Sequence, residues 1–145
     1  MSADLWPRFS GSAEEITNAV FAWALARFRW TPDVATRGQL DHWPSPADLE
    51  QDLRALGYVQ DDCDGFAAMC RHALRVNGVQ SRLVLCWVEN AEYHAVCEVA
   101  GLILDNRQLT VCPSQDLERV GYVWDRMSGV NDGDDWTSVG VANAS

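Results

Sequence analysis

The hydrophobic pattern changes period once, at Asn77-Gly78, and that change sets the order of elements in the fold. Before it, apolar residues recur at spacings of three and four, as on a helix face. After it they alternate, as along a strand. Helices first and strands second predict an α+β chain, with N-terminal helices packed on an antiparallel sheet.

The helix boundaries follow from local chemistry. Ser12 and Glu15 have the spacing of a capping box, so a helix is expected from about Ala13 to Arg29, ended by Pro32. Its apolar residues Ile16, Val20 and Trp23, with Phe21, Leu25 and Phe28 one row over, cover much of the circumference and mark a core helix. Ser45-Pro46-Ala47-Asp48 opens a second helix with an N-cap, a proline in the first position and an acid in the first turn. Leu49, Leu53 and Leu56 form its apolar stripe, and Gly57 stops it. Tyr58 to Asp61 is a short approach to a third helix. Asp62 is its N-cap candidate, Val76 its approximate end, and Phe66, Met69, Ala73 and Leu74 its buried side. Strands are expected at 81–88, 93–99, 102–105, 122–127 and 136–139, with a tight turn at Ala100-Gly101 and a helical turn near 115–119. Residues 1–11 read as a flexible lead-in and 140–145 as a frayed tail, so 1–145 is one domain.

Charge narrows the function classes. The net charge is −10, and all eleven basic residues are Arg. Nothing supplies the basic stripe that nucleic acid requires, and an anionic membrane surface would repel the chain. No run approaches the ~20 apolar residues of a membrane span, and no basic-then-apolar leader opens the chain, so a cytoplasmic protein is expected. Cys63, Cys70, Cys86, Cys97 and Cys112 are an odd number without a CxxC pair. That argues against a disulfide framework and an all-cysteine zinc site. Cys70, Cys86 and Cys97 are expected as small core hydrophobes. His42 reads as a loop residue and His72 as solvent-facing. The acidic turn 131–135 lacks the spacing of a calcium loop.

One stretch carries chemistry: Asp61-Asp62-Cys63-Asp64-Gly65-Phe66. A cysteine in the first turn of a helix faces unpaired N–H groups and the positive end of the dipole, which favour thiolate. A nucleophilic thiol also needs a base, and a base needs a group to orient it. His94 in an apolar strand and Asp105 at the end of the next strand supply that pair, provided the register brings them together. Each of the three has a bland alternative: packing for Cys63, a core hydrogen bond for His94, a turn cap for Asp105. The acidic neighbours oppose ionisation of the thiol, and capping accounts for them.

The motifs Asp62-Cys63-Asp64-Gly65-Phe66-Ala67, Tyr93-His94-Ala95-Val96 and Ile103-Leu104-Asp105-Asn106 resemble the bacterial transglutaminase-like cysteine peptidase family. Asp41-His42-Trp43-Pro44-Ser45-Pro46 resembles that family's upstream Asp-x-Trp, and Trp124 and Trp136 match its late aromatic positions. The resemblance spans roughly residues 20–137. It implies a papain-like fold, a Cys63-His94-Asp105 triad, and acyl transfer on a protein or peptide substrate, as peptidase or amidase. It further implies an oxyanion site built from the Cys63 backbone N–H, with the Trp43 indole as a candidate second donor. Members that bind calcium do so with acids flanking the cysteine. Asp62 and Asp64 match two of those positions, while Gly65 departs from the usual acid. The triad itself requires no cofactor; calcium is the option the resemblance opens. Three other readings stand beside it: a transamidase, a non-catalytic and phage-encoded binding or structural domain that keeps the fold, and a metal site with Cys63, His94 and Asp105 as ligands.

Overall fold

Asp62 turns the chain from an extended segment into the helix at the centre of the molecule. Its carboxylate accepts the Asp64 N–H at 3.0 Å, and helix α3 runs Cys63–Val76 from that cap. A computed structural model describes residues 5–31, 43–131 and 135–139. Around α3 lie α1 (Ala13–Ala26), β1 (Phe28–Trp30), α2 (Pro46–Leu56) and β2 (Val59–Asp61). The second half holds β3 (Arg82–Trp87), β4 (Tyr93–Val99), β5 (Leu102–Leu104), β6 (Cys112–Pro113), α4 (Ser114–Arg119), β7 (Val123–Met127) and β8 (Thr137–Ser138).

The caps fall where the side-chain chemistry puts them. Ser12 and Glu15 close a capping box on α1, and Ser45 and Asp48 close another on α2. Gly57, at φ 82°, ends α2 in the left-handed region that glycine enters without strain. The first helix is shorter than its periodicity suggests. It stops at Ala26, and Phe28–Trp30 instead pairs in parallel with Val59–Asp61. A strand partner 31 residues away overrides local propensity there. Leu56, expected in the buried stripe of α2, is 47% exposed, so Leu49 and Leu53 carry that contact.

The main sheet has the order β6-β5-β4-β3-β7-β8 among the described residues, every pair antiparallel. β3, β4 and β5 form the expected meander, and β7 adds to the far edge of β3. Two apolar layers sandwich this sheet. Leu83, Cys97, Val99 and Leu104 face the helices, meeting Phe66, Met69, Cys70 and Leu74 of α3. Phe66 takes the edges of Phe21 and Phe28, with ring centroids 5.9 and 5.2 Å away. On the opposite face Val84, Cys86, Val96 and Ile103 pack with Leu117 and Tyr122.

The lead-in is anchored over its described part rather than flexible. Trp6 is buried and donates to Glu50 at 2.7 Å, and Asn77 bonds both the Phe9 N–H and the Pro7 carbonyl. His72 is half-buried instead of solvent-facing, its ring 4.4 Å from Trp6. Asp41, His42, residues 132–134 of the acidic turn and the tail 140–145 lie outside the described residues. No helix among the described residues is long and apolar enough to cross a membrane.

Candidate active site

The start of α3 is buried on every side. Asp61, Asp62, Cys63 and Asp64 are all below a tenth exposed. Asp61, at the end of β2, accepts the Asp62 N–H at 2.8 Å. Its carboxyl lies against Gly65: a Cβ on residue 65 would stand 2.4 Å from the Asp61 Cβ and 2.5 Å from Oδ2. The glycine where the related motif has an acid therefore follows from the buried aspartate four residues before it.

His94 and Asp105 meet. The ring Nε2 lies 2.7 Å from Asp105 Oδ1, with both side chains buried. β4 pairs with β5 in the register Cys97↔Leu104, so the next residue, Asp105, falls one pleat from His94 on the same sheet face. Asp105 also makes the turn bond that its position before Asn106 suggests. Its Oδ1 accepts the Arg107 N–H at 2.9 Å and its carbonyl accepts the Gln108 N–H.

The remaining oxygen of Asp105 has a partner that pattern reading did not reach. Tyr122 donates its phenol O–H to Asp105 Oδ2 at 2.6 Å. Arg107 donates to the Tyr122 oxygen at 2.8 Å and forks onto both oxygens of Glu89 at 3.1 and 2.6 Å. Tyr122 reads locally as the first residue of a strand, and nothing near it in sequence signals a partner seventeen residues back. Burial alone would raise the Asp105 carboxyl. The His94 bond, then the Tyr122 and Arg107 donors, outweigh that and hold it below the ordinary carboxylate range. Burial, then the bond to Asp105, pushes the Tyr122 phenol up, so it stays a donor.

Cys63 comes to the same strand from the helix side. β5 pairs with β4 only over Cys97–Val99, which leaves the edge of β4 open at Ala95. The backbone N–H of Ala95, the residue after His94, is near enough to favour the Cys63 thiolate, while the thiol itself donates to Asp64 Oδ1 at 3.8 Å. The electrostatic expectation for this thiol is reversed. Burial pushes it far up, and Asp64 adds to the shift, followed by Asp62 and Asp105. The Ala95 N–H pulls the other way without prevailing. A helix dipole counts for less than desolvation and two adjacent carboxylates. Without a base, Cys63 rests as a thiol.

Trp43 stacks on Trp136 at 5.7 Å between centroids and 20° between planes. The pair walls a cavity of about 310 Å³ together with Ala68, Arg71 and Arg75, residues further along α3 than Cys63. Cys70, Cys86 and Cys97 are buried as expected, and Cys112 is half-exposed.

Helices on an antiparallel sheet, with a cysteine opening the core helix and a His–Asp pair on adjoining strands, make up the transglutaminase-like, papain-like fold. Three solved structures that share it are of Legionella pneumophila LapG. The calcium-bound form superposes with a TM-score of 0.70 at 18% identity, covering 95% of this chain and 74% of LapG. Another LapG structure gives 0.68 at 19% identity over 99% and 77%, and the EGTA-treated form 0.64 at 18% over 95% and 76%. At that identity the likeness is one of fold. No protein-family model matches the sequence, and no curated protein sequence matches it.

Proposed function

We propose that the protein is a cysteine hydrolase of the transglutaminase-like peptidase type, with Cys63 as nucleophile, His94 as base and Asp105 orienting His94. The observation that carries the reading is the buried His94–Asp105 pair, 2.7 Å apart, with Asp105 and the Ala95 backbone both near enough to Cys63 to act on its thiol. The shared fold with LapG supports it.

The chemistry runs as acyl transfer. Nε2 faces Asp105, so Nδ1 is the atom left to move protons. His94 Nδ1 takes the thiol proton as sulfur attacks a peptide or side-chain amide carbonyl. The tetrahedral oxyanion is held by the backbone N–H of Cys63, one of the first N–H groups of a helix, which have no acceptor within the helix. The C–N bond then breaks, and His94 returns the proton to the departing amine. Water adds to the thioester, giving its proton to His94. The C–S bond breaks, the acid leaves, and the proton returns to sulfur. Because the resting residue is a thiol, His94 acts during attack and does not merely maintain a standing ion pair. The motif supports the Trp43 indole as second oxyanion donor, and its stacking on Trp136 supports packing. Trp43→Phe, which keeps the ring and removes the donor, separates the two.

The test is alkylation of the intact protein with iodoacetamide, site by site, in wild type, Cys63→Ala and His94→Ala. Faster reaction at Cys63 than at half-exposed Cys112, lost with His94, is the expected result. Cys112 reacting first in wild type would overturn the reading.

Tyr122 has the place of a positioning residue in this scheme. Tyr122→Phe removes one donor from a buried carboxylate, a bond of the charge-assisted kind worth ~1.5–3 kcal/mol. The Asp105 pKa then rises toward its ordinary value, so Asp105 protonates at higher pH and His94 loses its anion sooner on acidification. The acid-side midpoint of Cys63 alkylation is expected to move to higher pH in the variant. A loss of rate with an unmoved midpoint would mean Tyr122 only packs.

Calcium enters through the same helix start. Asp62, Cys63 and Asp64 each offer a donor atom, all within 4.8 Å of one another. Two of the donors are carboxylate oxygens, the ligand type calcium takes. On that chemistry Asp62 and Asp64 fit the ion, whose charge would offset the carboxylates that push the thiol up. A melting temperature several degrees higher in calcium than in EGTA, with the gap closed by Asp64→Asn, is expected if they hold it. Equal melting temperatures in wild type would leave both residues as helix caps alone.

A further inference from the structure

The hydrogen bonds behind His94 can be counted atom by atom, and the count fixes where the hydrogens point. A phenol oxygen carries one hydrogen and two lone pairs. Tyr122 accepts from the Arg107 guanidinium at 2.8 Å and from the Gln108 amide at 3.2 Å, which occupies both lone pairs. Its single hydrogen is therefore committed to Asp105 Oδ2, 2.6 Å away. Oδ1 takes the Arg107 main-chain N–H and faces His94 Nε2. A carboxyl that meets donors on both oxygens is held as the anion, so the hydrogen between it and His94 sits on Nε2.

The chain of bonds continues to the surface. Arg107 forks onto Glu89 at 3.1 and 2.6 Å, and its guanidinium lies over the Tyr122 ring, 5.6 Å from the centroid. The backbone builds this meeting. The Gln108 N–H bonds back to the Asp105 carbonyl at 2.9 Å, and that turn delivers both Arg107 and Gln108 to Tyr122. Gly121, at φ 111°, brings the residue before Tyr122 against the strand end that carries Glu89. A Cβ there would stand 2.9 Å from the Glu89 Cβ and 3.1 Å from its Cα. Cys86 pairs with His94 on one side and with Trp124 on the other, and Cys86 and Tyr122 share one buried cluster. The network therefore gathers on the sheet face that His94 occupies. An ion pair with Arg107 32% and Glu89 48% exposed adds little to stability by itself. Its link to a buried carboxylate gives it another use.

We propose that Arg107 is a positioning residue for the His94–Asp105 pair, acting through the Tyr122 phenol, with Glu89 holding its guanidinium in place. The assignment rests on that pair serving Cys63. Donation into the phenol oxygen polarises its O–H and strengthens the bond to Asp105. It also fills the oxygen, so the phenol does not turn away from the carboxylate. With the guanidinium gone, Asp105 receives less from Tyr122 and draws harder on the His94 hydrogen. His94 then holds an added proton more firmly and acts as a base over a narrower pH range.

The test reads two quantities in wild type, Arg107→Met, Arg107→Gln, Tyr122→Phe and the double variant Arg107→Met/Tyr122→Phe. One is the acid-side midpoint of Cys63 alkylation by iodoacetamide. The other is the His94 Nε2–H proton resonance in isotope-labelled protein, assigned by its loss in His94→Ala. Each Arg107 variant is expected to raise the midpoint by roughly half a pH unit, about threefold in proton affinity, and to move the resonance downfield. Adding Arg107→Met to Tyr122→Phe should change neither quantity further. Both shifts should persist in about 0.5 M sodium chloride, where the screening length is only ~4 Å and a through-space charge effect fades. Wild-type values for both quantities, with only a lower melting temperature, would mean that Arg107 merely packs. Shifts of the same size in the Tyr122→Phe background, or shifts lost in salt, would mean that its charge acts directly. Either result overturns the proposal. If iodoacetamide does not single out Cys63, the nucleophile reading fails, and the resonance alone decides for or against Arg107.

Discussion

Gly65→Ala is expected to destabilise the protein by ~3 kcal/mol, although the same change in an ordinary helix interior gains up to ~1 kcal/mol. The opposite signs make the measurement decisive. Propensity favours alanine because glycine loses more backbone freedom on folding. Contact opposes it, because the new Cβ would sit 2.4 Å from the Asp61 Cβ and 2.7 Å from its Cγ. Asp61 cannot yield cheaply: it is 1% exposed and its Oδ1 holds the Asp62 N–H just ahead of Cys63. Urea denaturation of Gly65→Ala alone and combined with Asp61→Ala reads the coupling. The double variant is expected to lose less than the sum of the singles. A stabilised Gly65→Ala would show that Asp61 has room to move, and the explanation of the glycine would go with it.

Asp105→Ala is expected to lower stability by several kcal/mol, at ~1–3 kcal/mol for each buried donor left without an acceptor. It leaves three donors facing an empty site: His94, the Tyr122 O–H and the Arg107 N–H. Cys63 alkylation should fall by about 100-fold, within the span a positioned base contributes. Asp105→Asn keeps the shape and one acceptor, so its loss should be smaller. Its pH dependence carries the sign of the effect. The folded carboxyl lies below its ordinary value, so its ionised form stabilises the protein above the unfolded pKa of about 3.9. The margin of wild type over Asp105→Asn should be full near neutral pH, begin to shrink below about pH 4, and vanish once the folded carboxyl protonates. A margin independent of pH would mean that the charge of Asp105 contributes nothing to the pair.

Much of this site can be read from residues in order. The caps at Ser12, Ser45 and Asp62 announce themselves because a cap is a contact between residues two or three apart. The His94–Asp105 pair was within reach because a tight turn at Ala100-Gly101 leaves few registers, and Gly101 at φ 90° completes it. What escaped depends on distant contacts. Phe28 continues the helical spacing of α1, and only pairing with Val59 makes it a strand residue. Tyr122 meets Asp105 through the return of β7 to the other edge of β3, beyond a register shift at Leu85/Cys86 that no local pattern marks. The thiol of Cys63 departs from the sequence expectation for the same reason. The helix start is visible in sequence, whereas the burial that outweighs it depends on the whole fold.

The central claim is that Cys63 reacts because His94 takes its proton. Burial gives the opposite ranking from that claim. Cys63 is 7% exposed with a thiol pushed far up, Cys70 is likewise raised, Cys86 and Cys97 stand at about 12, and Cys112 is half-exposed. Iodoacetamide rates for each cysteine, measured across pH on wild type and His94→Ala, decide between them. The account predicts that Cys63 leads Cys112 near neutral pH in wild type and falls behind it in His94→Ala. Cys112 leading in both proteins, with Cys63 among the slow core thiols, would contradict it.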